Sequence, residues 1–220
     1  MKKDLLLKLL PAIGEGRKQL SALALHANLG QTILKEIILE LSHQKIGELK
    51  DSHVSFTSSD KLKAALLAIS LGCLGSEVSR FLHWKDFEDL VTEILRRNDY
   101  EVDTNVHLKR PRMQIDVIGI QRNFALCIDC KLWYSLAGTE RIAEVALRQL
   151  TRTRRLMESS HATKLRISRS MPVVVTLQQE SVLLPRGVPI VPIDKFQNFI
   201  FNLPDYIPLT SMVERTTSSK

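Results

Sequence analysis

The sequence is poor in cysteine, and this scarcity excludes several kinds of scaffold and site. Its 220 residues include three cysteines, Cys73, Cys127 and Cys130. An odd, small number of cysteines argues against a disulfide scaffold and favours reduced thiols. Cys127 and Cys130 are spaced as a C-x-x-C pair, but on a strand they would point to opposite faces. Neither a shared metal ion nor a redox pair is therefore expected there.

The sequence also lacks an apolar stretch long enough to cross a bilayer. The longest candidate, residues 64–74, has about half the required length. Near the N-terminus, Lys8 interrupts the apolar run, and Glu15 and Arg17 stand where a signal peptide would need small residues. We therefore expect a cytoplasmic protein that makes no membrane contact.

Motifs for nucleotide and zinc binding are absent, since we find no P-loop, G-x-G-x-x-G, H-E-x-x-H or zinc-finger spacing. The sequence also has no internal repeat. What is present is the composition of a globular protein, with 44% hydrophobic residues. A chain of this length can bury a core in one or two domains. The net charge of +7 and the pI of about 9.4 fit an acidic polymer as partner.

Residues 114–131 have the alternation of a β-hairpin with acids on both strands. In the first strand Asp116, Ile118 and Ile120 share one face, and a second strand is predicted from Phe124 to Lys131. If the turn has an even number of residues, Asp116 stands opposite Asp129, and Lys131 shares their face. Two carboxylates and an ammonium group are costly to bury unless something joins them, and a divalent cation would do so. The alternative is an ordinary salt bridge between Asp129 and Lys131 at a strand end.

These residues carry a resemblance to a nuclease superfamily. Glu88 on a predicted helix, Asp116 on the next hairpin, and the run Asp129, Cys130, Lys131 resemble the E…D…(D/E)-x-K signature of the PD-(D/E)xK superfamily. The spacing and the segment FEDLVTEILRRNDYEV are most similar to Mrr-type restriction endonucleases and archaeal Holliday-junction resolvases. The resemblance covers about residues 84–200. Ile115 stands where the family often has proline, and Asp129 where glutamate is more frequent.

The resemblance implies a metal-dependent DNA endonuclease that acts in restriction or in repair and recombination, on junctions or other structured DNA. In that interpretation Asp116, Asp129 and the main-chain carbonyl of Cys130 hold one or two Mg²⁺ ions, for which Mn²⁺ is expected to substitute. Glu88 completes the metal site directly or through water. Lys131 positions the attacking water and stabilises negative charge on the phosphate. For Glu88 the alternative partner is a neighbouring lysine or a backbone donor.

Two basic segments are candidates for contact with the DNA backbone. One is the loop before Asp116, and the other is a ribbon of positive charge along a helix predicted from about Thr139 to Ser159. The alternative for both is a solvated surface. The predicted DNA-binding residues are Lys109, Arg110, Arg112, Arg141, Arg148, Gln149, Arg152 and Arg155.

The first part of the chain has the element order of a winged helix. Three helices are predicted, from Lys3 to about Leu10, from Arg17 to Leu29 and from about Thr32 to Ser42, followed by two short strands. The outward face of the third helix carries Lys35 but also Glu36 and Glu40, and a helix this neutral is a poor reader of the DNA groove. DNA binding and partner binding therefore both stay open for this domain. An apolar helix at residues 58–71, or the domain itself, offers a homodimer interface.

The predicted fold is α/β, a restriction-endonuclease-like mixed sheet flanked by helices, preceded by a mainly helical winged-helix domain. We expect a winged-helix-like domain with its linking helix at residues 1–75, a nuclease-like domain at 76–205 and a disordered tail at 206–220. The rival function is a DNA-binding or regulatory protein on a nuclease-like fold that does not cut. A purely structural module, in which Glu88, Asp116 and Asp129 do not converge, is a second rival.

Overall fold

The computed structural model describes residues 3–109, 112–132, 138–176 and 183–215, whose contacts divide into two units, Met1–Asp86 and Phe87–Lys220. Arg110, one of the predicted DNA-binding residues, lies outside the described residues. The division falls later than the predicted boundary after residue 75. None of the helices in the described ranges combines the length and the apolar character needed to span a bilayer.

Over its described residues, the first unit holds five α-helices, a turn of 3-10 helix at Leu10–Ala12 and a three-stranded antiparallel sheet in the order β1-β3-β2. Its elements are α1 (Lys3–Leu9), β1 (Gly16–Gln19), α2 (Leu20–His26), α3 (Gln31–His43), β2 (Glu48–Lys50), β3 (His53–Phe56), α4 (Asp60–Ser70) and α5 (Gly75–Ser79). The predicted start of the second helix at Arg17 is wrong, because Arg17 lies in a strand and pairs with Ser55. The predicted order of the other elements is the order observed. The winged-helix assignment itself stays a prediction.

The described residues of the second unit form a six-stranded mixed sheet, with β4 to β8 in sequence order and β9 paired to β7. Strands β4, β5 and β6 are antiparallel neighbours, whereas β6, β7 and β8 run parallel. The elements are α6 (Trp84–Arg97), which begins before the division, β4 (Glu101–Lys109), β5 (Arg112–Gln121), β6 (Phe124–Lys131), α7 (Thr139–Glu158), α8 (Ser160–Lys164), β7 (Arg169–Thr176), β8 (Ile190–Pro192), α9 (Ile193–Phe201), α10 (Leu203–Tyr206) and β9 (Val213–Glu214).

Helices cover both faces of this sheet, as predicted. The buried residues Ile118, Ile120 and Cys127 form one core cluster with Leu156 and Met157 of α7. Between the two isoleucines, Gly119 faces the other side, where it meets Leu95 of α6. The mixed sheet flanked by helices is the architecture of a restriction-endonuclease-like fold.

The predicted disordered tail is wrong for its first part. Ile207–Leu209 forms a turn of 3-10 helix, and Val213 pairs with Ser170 of β7. This pairing gives the polar tail a backbone partner that its own composition does not reveal. Residues 216–220 lie outside the described residues.

The hairpin of β5 and β6 has the two-residue turn that aligns the acids. Gln121 pairs with Phe124, Arg122 adopts a left-handed φ of 58°, and Val117 pairs with Ile128. A positive φ at the first turn position is typical of two-residue hairpins. The same register, continued by one residue, sets Asp116 across from Asp129.

Candidate active site

Asp129 is a buried carboxylate with two cationic partners. Only 3% of the residue is exposed. Its Oδ2 lies 2.7 Å from Lys131 Nζ, and its Oδ1 accepts a hydrogen bond from Arg152 Nη1 at 2.6 Å. A buried carboxylate of this kind is tolerated only with such compensation. Lys131 comes from the same strand and Arg152 from α7, so the helix after the hairpin takes part in the site.

Asp116 lies beside Asp129 and its two cations, and no cation of the described residues forms a hydrogen bond or ion pair with it. Its Oδ2 accepts a hydrogen bond from the Cys130 backbone N–H at 2.9 Å. Burial raises the pKa of Asp116 above its ordinary value, and the nearby charge of Asp129 raises it further, whereas the hydrogen bond and the charges of Lys131 and Arg152 lower it. The predicted convergence of Asp116, Asp129 and Lys131 is thus observed, with Arg152 as an additional member.

Glu88 is half-buried on α6 and its charge acts on the same region. The pKa of the Cys130 thiol is raised well above its usual value, first by burial and then by the charges of Asp116, Asp129 and Glu88. Cys130 therefore lies within electrostatic reach of all three acids. In the described part of the chain, however, no group of three or more His, Cys, Asp or Glu side chains is arranged to hold a metal ion.

The donor set still fits a divalent cation of the kind that the fold family uses. Mg²⁺ is usually held by one or two carboxylates together with water and substrate phosphate, and does not need an all-protein cage. Asp116 and Asp129 could supply those two carboxylates. Because Lys131 and Arg152 occupy both oxygens of Asp129, a cation bound there would displace at least one of these ion pairs.

The predicted DNA-binding residues have different surroundings. Lys109 and Arg112 form a register pair at the exposed end of the hairpin of β4 and β5. Arg141 is exposed near the start of α7, while Arg148 pairs with Glu144 and Arg155 with Glu158 on the surface of the same helix. Arg152 differs from them because its guanidinium is bonded to Asp129. Contact of these residues with DNA stays a prediction.

The prediction that Gln149 contacts the DNA backbone is wrong. Its side chain is completely buried, and Nε2 donates a hydrogen bond to the main-chain oxygen of Cys127 at 2.6 Å. Gln149 therefore joins α7 to β6 two residues before Asp129. The helical spacing contained the signal, because Gln149 follows Val145 by four residues and Ile142 by seven, and both are on the buried side.

Comparison with known proteins identifies similar sequences and structures. Residues 80–167 match the profile of a restriction endonuclease family, Mrr_cat. A relative from Archaeoglobus fulgidus, described as an uncharacterized protein, is 30% identical over 128 residues, which cover 57% of this chain and 95% of the relative.

Two solved structures are similar to this chain at lower identity. Protein VC1899 from Vibrio cholerae has a TM-score of 0.42 and 13% identity, with 94% of this chain and 51% of that chain covered. A protein of unknown function, AF1548, has a TM-score of 0.30 and 20% identity, with 40% of this chain and 44% of that chain covered. This chain thus spans about half the length of each of these structures or less.

Proposed function

Because the chain belongs to the PD-(D/E)xK, restriction-endonuclease-like superfamily through residues 80–167, we propose that it hydrolyses phosphodiester bonds of DNA with the help of a divalent cation. The observation that carries this proposal is the meeting of Asp116, Asp129 and Lys131 at one point of the sheet. Two of these residues are acids buried at 7% and 3% exposure. Apolar packing alone gives no reason to bury both acids, whereas binding a cation does.

Each side chain has a role that its position supports. Asp116 and Asp129 would hold Mg²⁺, or Mn²⁺ in its place, together with the main-chain carbonyl of Cys130 and with Glu88 acting directly or through water. The cation, when bound, would polarise the phosphate and lower the pKa of a water molecule. Lys131 would orient the attacking water and stabilise the negative charge that develops on the phosphate. Arg152, once released from Asp129, would be free to contact a phosphate of the substrate.

Cleavage of supercoiled plasmid DNA tests this function. We expect the protein to nick or linearise plasmid with Mg²⁺ or Mn²⁺, to lose this activity with chelator, and to lose it in Asp116→Asn and Asp129→Asn variants. Arg97→Ala is the control, because it removes an exposed cation whose partner is Glu93 on the same helix surface. Equal cutting by wild type and both aspartate variants would show that a contaminant or another site cleaves the DNA.

A second candidate function is DNA binding or regulation without cleavage. The observation that favours it is the double pairing of Asp129, since a carboxylate with a cation beside each oxygen has its charge compensated without metal. The two functions differ in one result. A non-cleaving protein would bind duplex, methylated, flapped and four-way DNA but would leave every one of them intact with Mg²⁺ or Mn²⁺.

We also propose that the protein acts as a homodimer through residues 58–71 or through the first unit, which would bind either DNA or a partner protein. Leu71 ends this segment and Leu74 follows three residues later in the first unit, and they are 38% and 60% exposed. Exposed apolar side chains of this size are common at subunit interfaces. Sedimentation velocity should give the mass of a dimer at the concentrations used for cleavage, and a monomer mass there would remove this proposal.

A further inference from the structure

A basic cavity lies in the nuclease-like unit, outside the group of acids. Its volume is about 490 Å³, and its walls come from the end of β4 and from the region where α7 meets α8. The cationic and potentially cationic residues of its lining are His107, Lys109, Arg155, His161 and Lys164. The prediction from sequence included Lys109 and Arg155 but gave no role to the two histidines or to Lys164.

The charges in this cavity favour an anion. Its acid is Glu158, whose Oε2 accepts a hydrogen bond from Arg155 Nη1 at 2.8 Å. The lining has a net formal charge of +2 when both imidazoles are neutral, because it combines this one glutamate with Lys109, Arg155 and Lys164. His161 is held by Asp103, with Nε2 and Oδ2 2.8 Å apart. Several cationic donors around one cavity are the usual receptor for a phosphate group.

Residues that line the cavity are close, along α7 and along the paired strands β4 and β5, to residues of the acidic site. Arg155 follows Arg152, the partner of Asp129, by three residues, a rise of about 4.5 Å along the helix. His107 pairs with Gln114, which precedes Asp116 by two residues, or about 7 Å along the strand. In a DNA strand successive nucleotides rise by about 3.4 Å. These separations therefore correspond to about one to two nucleotides along the helix axis.

We infer that this cavity binds a phosphodiester group of the DNA strand about one or two nucleotides from the bond that is cleaved. The inference rests on the proposed function, because it places the phosphate relative to Asp116 and Asp129. A second cleft supports a continuous path for the strand. It is lined by Met113, Leu147, Arg148, Thr151 and Arg152, and so it adjoins the acids along the same helix.

The test measures binding of a fluorescently labelled duplex by anisotropy, with chelator present so that no cleavage occurs, over a range of salt concentrations. The variant is Lys109→Ala with Lys164→Ala, which removes two exposed lysines of the cavity. The control is Arg96→Ala with Arg97→Ala, which removes two exposed cations of α6. Thermal unfolding of both variants should match that of the wild type.

We expect the cavity variant to bind roughly three- to tenfold more weakly at low salt and to lower the slope of log affinity against log salt by about 1 to 2. The control should bind within about twofold of the wild type. A cavity variant that loses no more affinity than the control would overturn the inference. If inorganic phosphate then raised the melting temperature of the wild type and not of the cavity variant, the cavity would be a site for free phosphate.

The result is separable from that of the proposed function. A wild type that binds DNA through the cavity lysines but cuts no DNA would contradict the nuclease and leave a phosphodiester site in place. A wild type that cuts DNA while the cavity variant binds normally would contradict this inference alone.

Discussion

At the scale of single residues, the two acids of the site are stabilised in different ways. Asp129 has an ion pair at each oxygen, with Lys131 and with Arg152. Asp116 has a hydrogen bond from the Cys130 N–H, and burial raises its pKa. A cation that binds both acids therefore relieves the cost of charging Asp116 and competes with the ion pairs of Asp129.

The raised pKa of Asp116 predicts how an Asp116→Asn variant changes stability with pH. The folded state holds the proton of Asp116 more tightly than the unfolded state, whose pKa is near 3.8. Wild-type stability therefore falls as pH rises through the window between these two pKa values. Asparagine lacks this titration and can still accept the hydrogen bond from Cys130.

Urea denaturation with chelator, carried out from pH 4 to pH 7, measures this difference. We expect the Asp116→Asn variant to gain stability relative to the wild type as the pH increases. A difference in stability that stays constant or shrinks over this pH range would show that the folded protein does not raise the pKa of Asp116.

Replacing Arg152 by methionine tests the competition between guanidinium and cation. The change removes one partner of Asp129. Because Lys131 remains and Arg152 is 28% exposed, we expect the free energy of unfolding to fall by about 1–3 kcal/mol, which is less than is usual when a fully buried pair is broken. Added Mn²⁺ should then stabilise the variant more than the wild type, because no arginine has to be displaced.

Urea denaturation with and without Mn²⁺ measures this stabilisation, with Arg148→Met as the control, since Arg148 pairs with the exposed Glu144. We expect the control to differ from the wild type by no more than about 0.5 kcal/mol. Equal stabilisation of wild type and Arg152→Met by Mn²⁺ would mean that the cation does not compete with Arg152 for Asp129.

At the scale of elements, the position of α6 depends on a missing side chain on β5. A Cβ atom at Gly119 would lie 2.9 Å from Leu95 Cδ2 and 3.3 Å from Tyr100 Cδ1. Leu95 is completely buried, so it cannot easily move away. Because α6 also carries Glu88, the close approach of helix and strand sets the distance of Glu88 from the acids.

A Gly119→Ala variant should therefore be destabilised by about 1–3 kcal/mol, as is usual for an overpacked core. Gly138→Ala is the control, because among the described residues no atom lies within 4 Å of the added Cβ and its φ is −63°; Gly138 is the N-cap of α7, so this change should cost about 0.5–1 kcal/mol. The midpoint of urea denaturation measures both. An unchanged midpoint for Gly119→Ala would show that α6 does not pack closely on β5.

The elements also show how far sequence reasoning reaches. The alternation along residues 114–131 predicted the hairpin and the opposition of Asp116 and Asp129, because a period of two is a local property. Strand β1 was missed, because Arg17 becomes part of a sheet only through its pairing with Ser55. The pairing of Arg152 with Asp129 joins residues 23 positions apart, and no local pattern signals it.

The start of α4 illustrates the same limit. Serine is a favourable N-cap residue, but no side-chain hydrogen bond caps this helix from Ser59. Instead Asp60, 2% exposed, accepts hydrogen bonds from the backbone N–H groups of Thr57 and Gly47. The apolar composition predicted the helix, but the hydrogen bond between Gly47 and Asp60 joins residues 13 positions apart, and no local pattern indicates it.

At the scale of the whole molecule, the chain combines two units with separate sheets, and the family match lies almost entirely in the second. Residues 80–167 include the hairpin, α6 and α7, so every side chain of the candidate site lies within the match. The same span contains all eight predicted DNA-binding residues. The net charge of +7 fits a partner with a phosphate backbone.

The single-turnover rate of DNA cleavage by Lys131→Ala, measured with excess protein and saturating Mg²⁺, tests the central claim most directly. We expect a loss of about a hundredfold or more, because removing one group that stabilises the transition state has an effect of that size, while the anisotropy of labelled DNA shows binding within about threefold of the wild type. A Lys131→Ala variant that cleaves DNA at the wild-type rate would contradict the account.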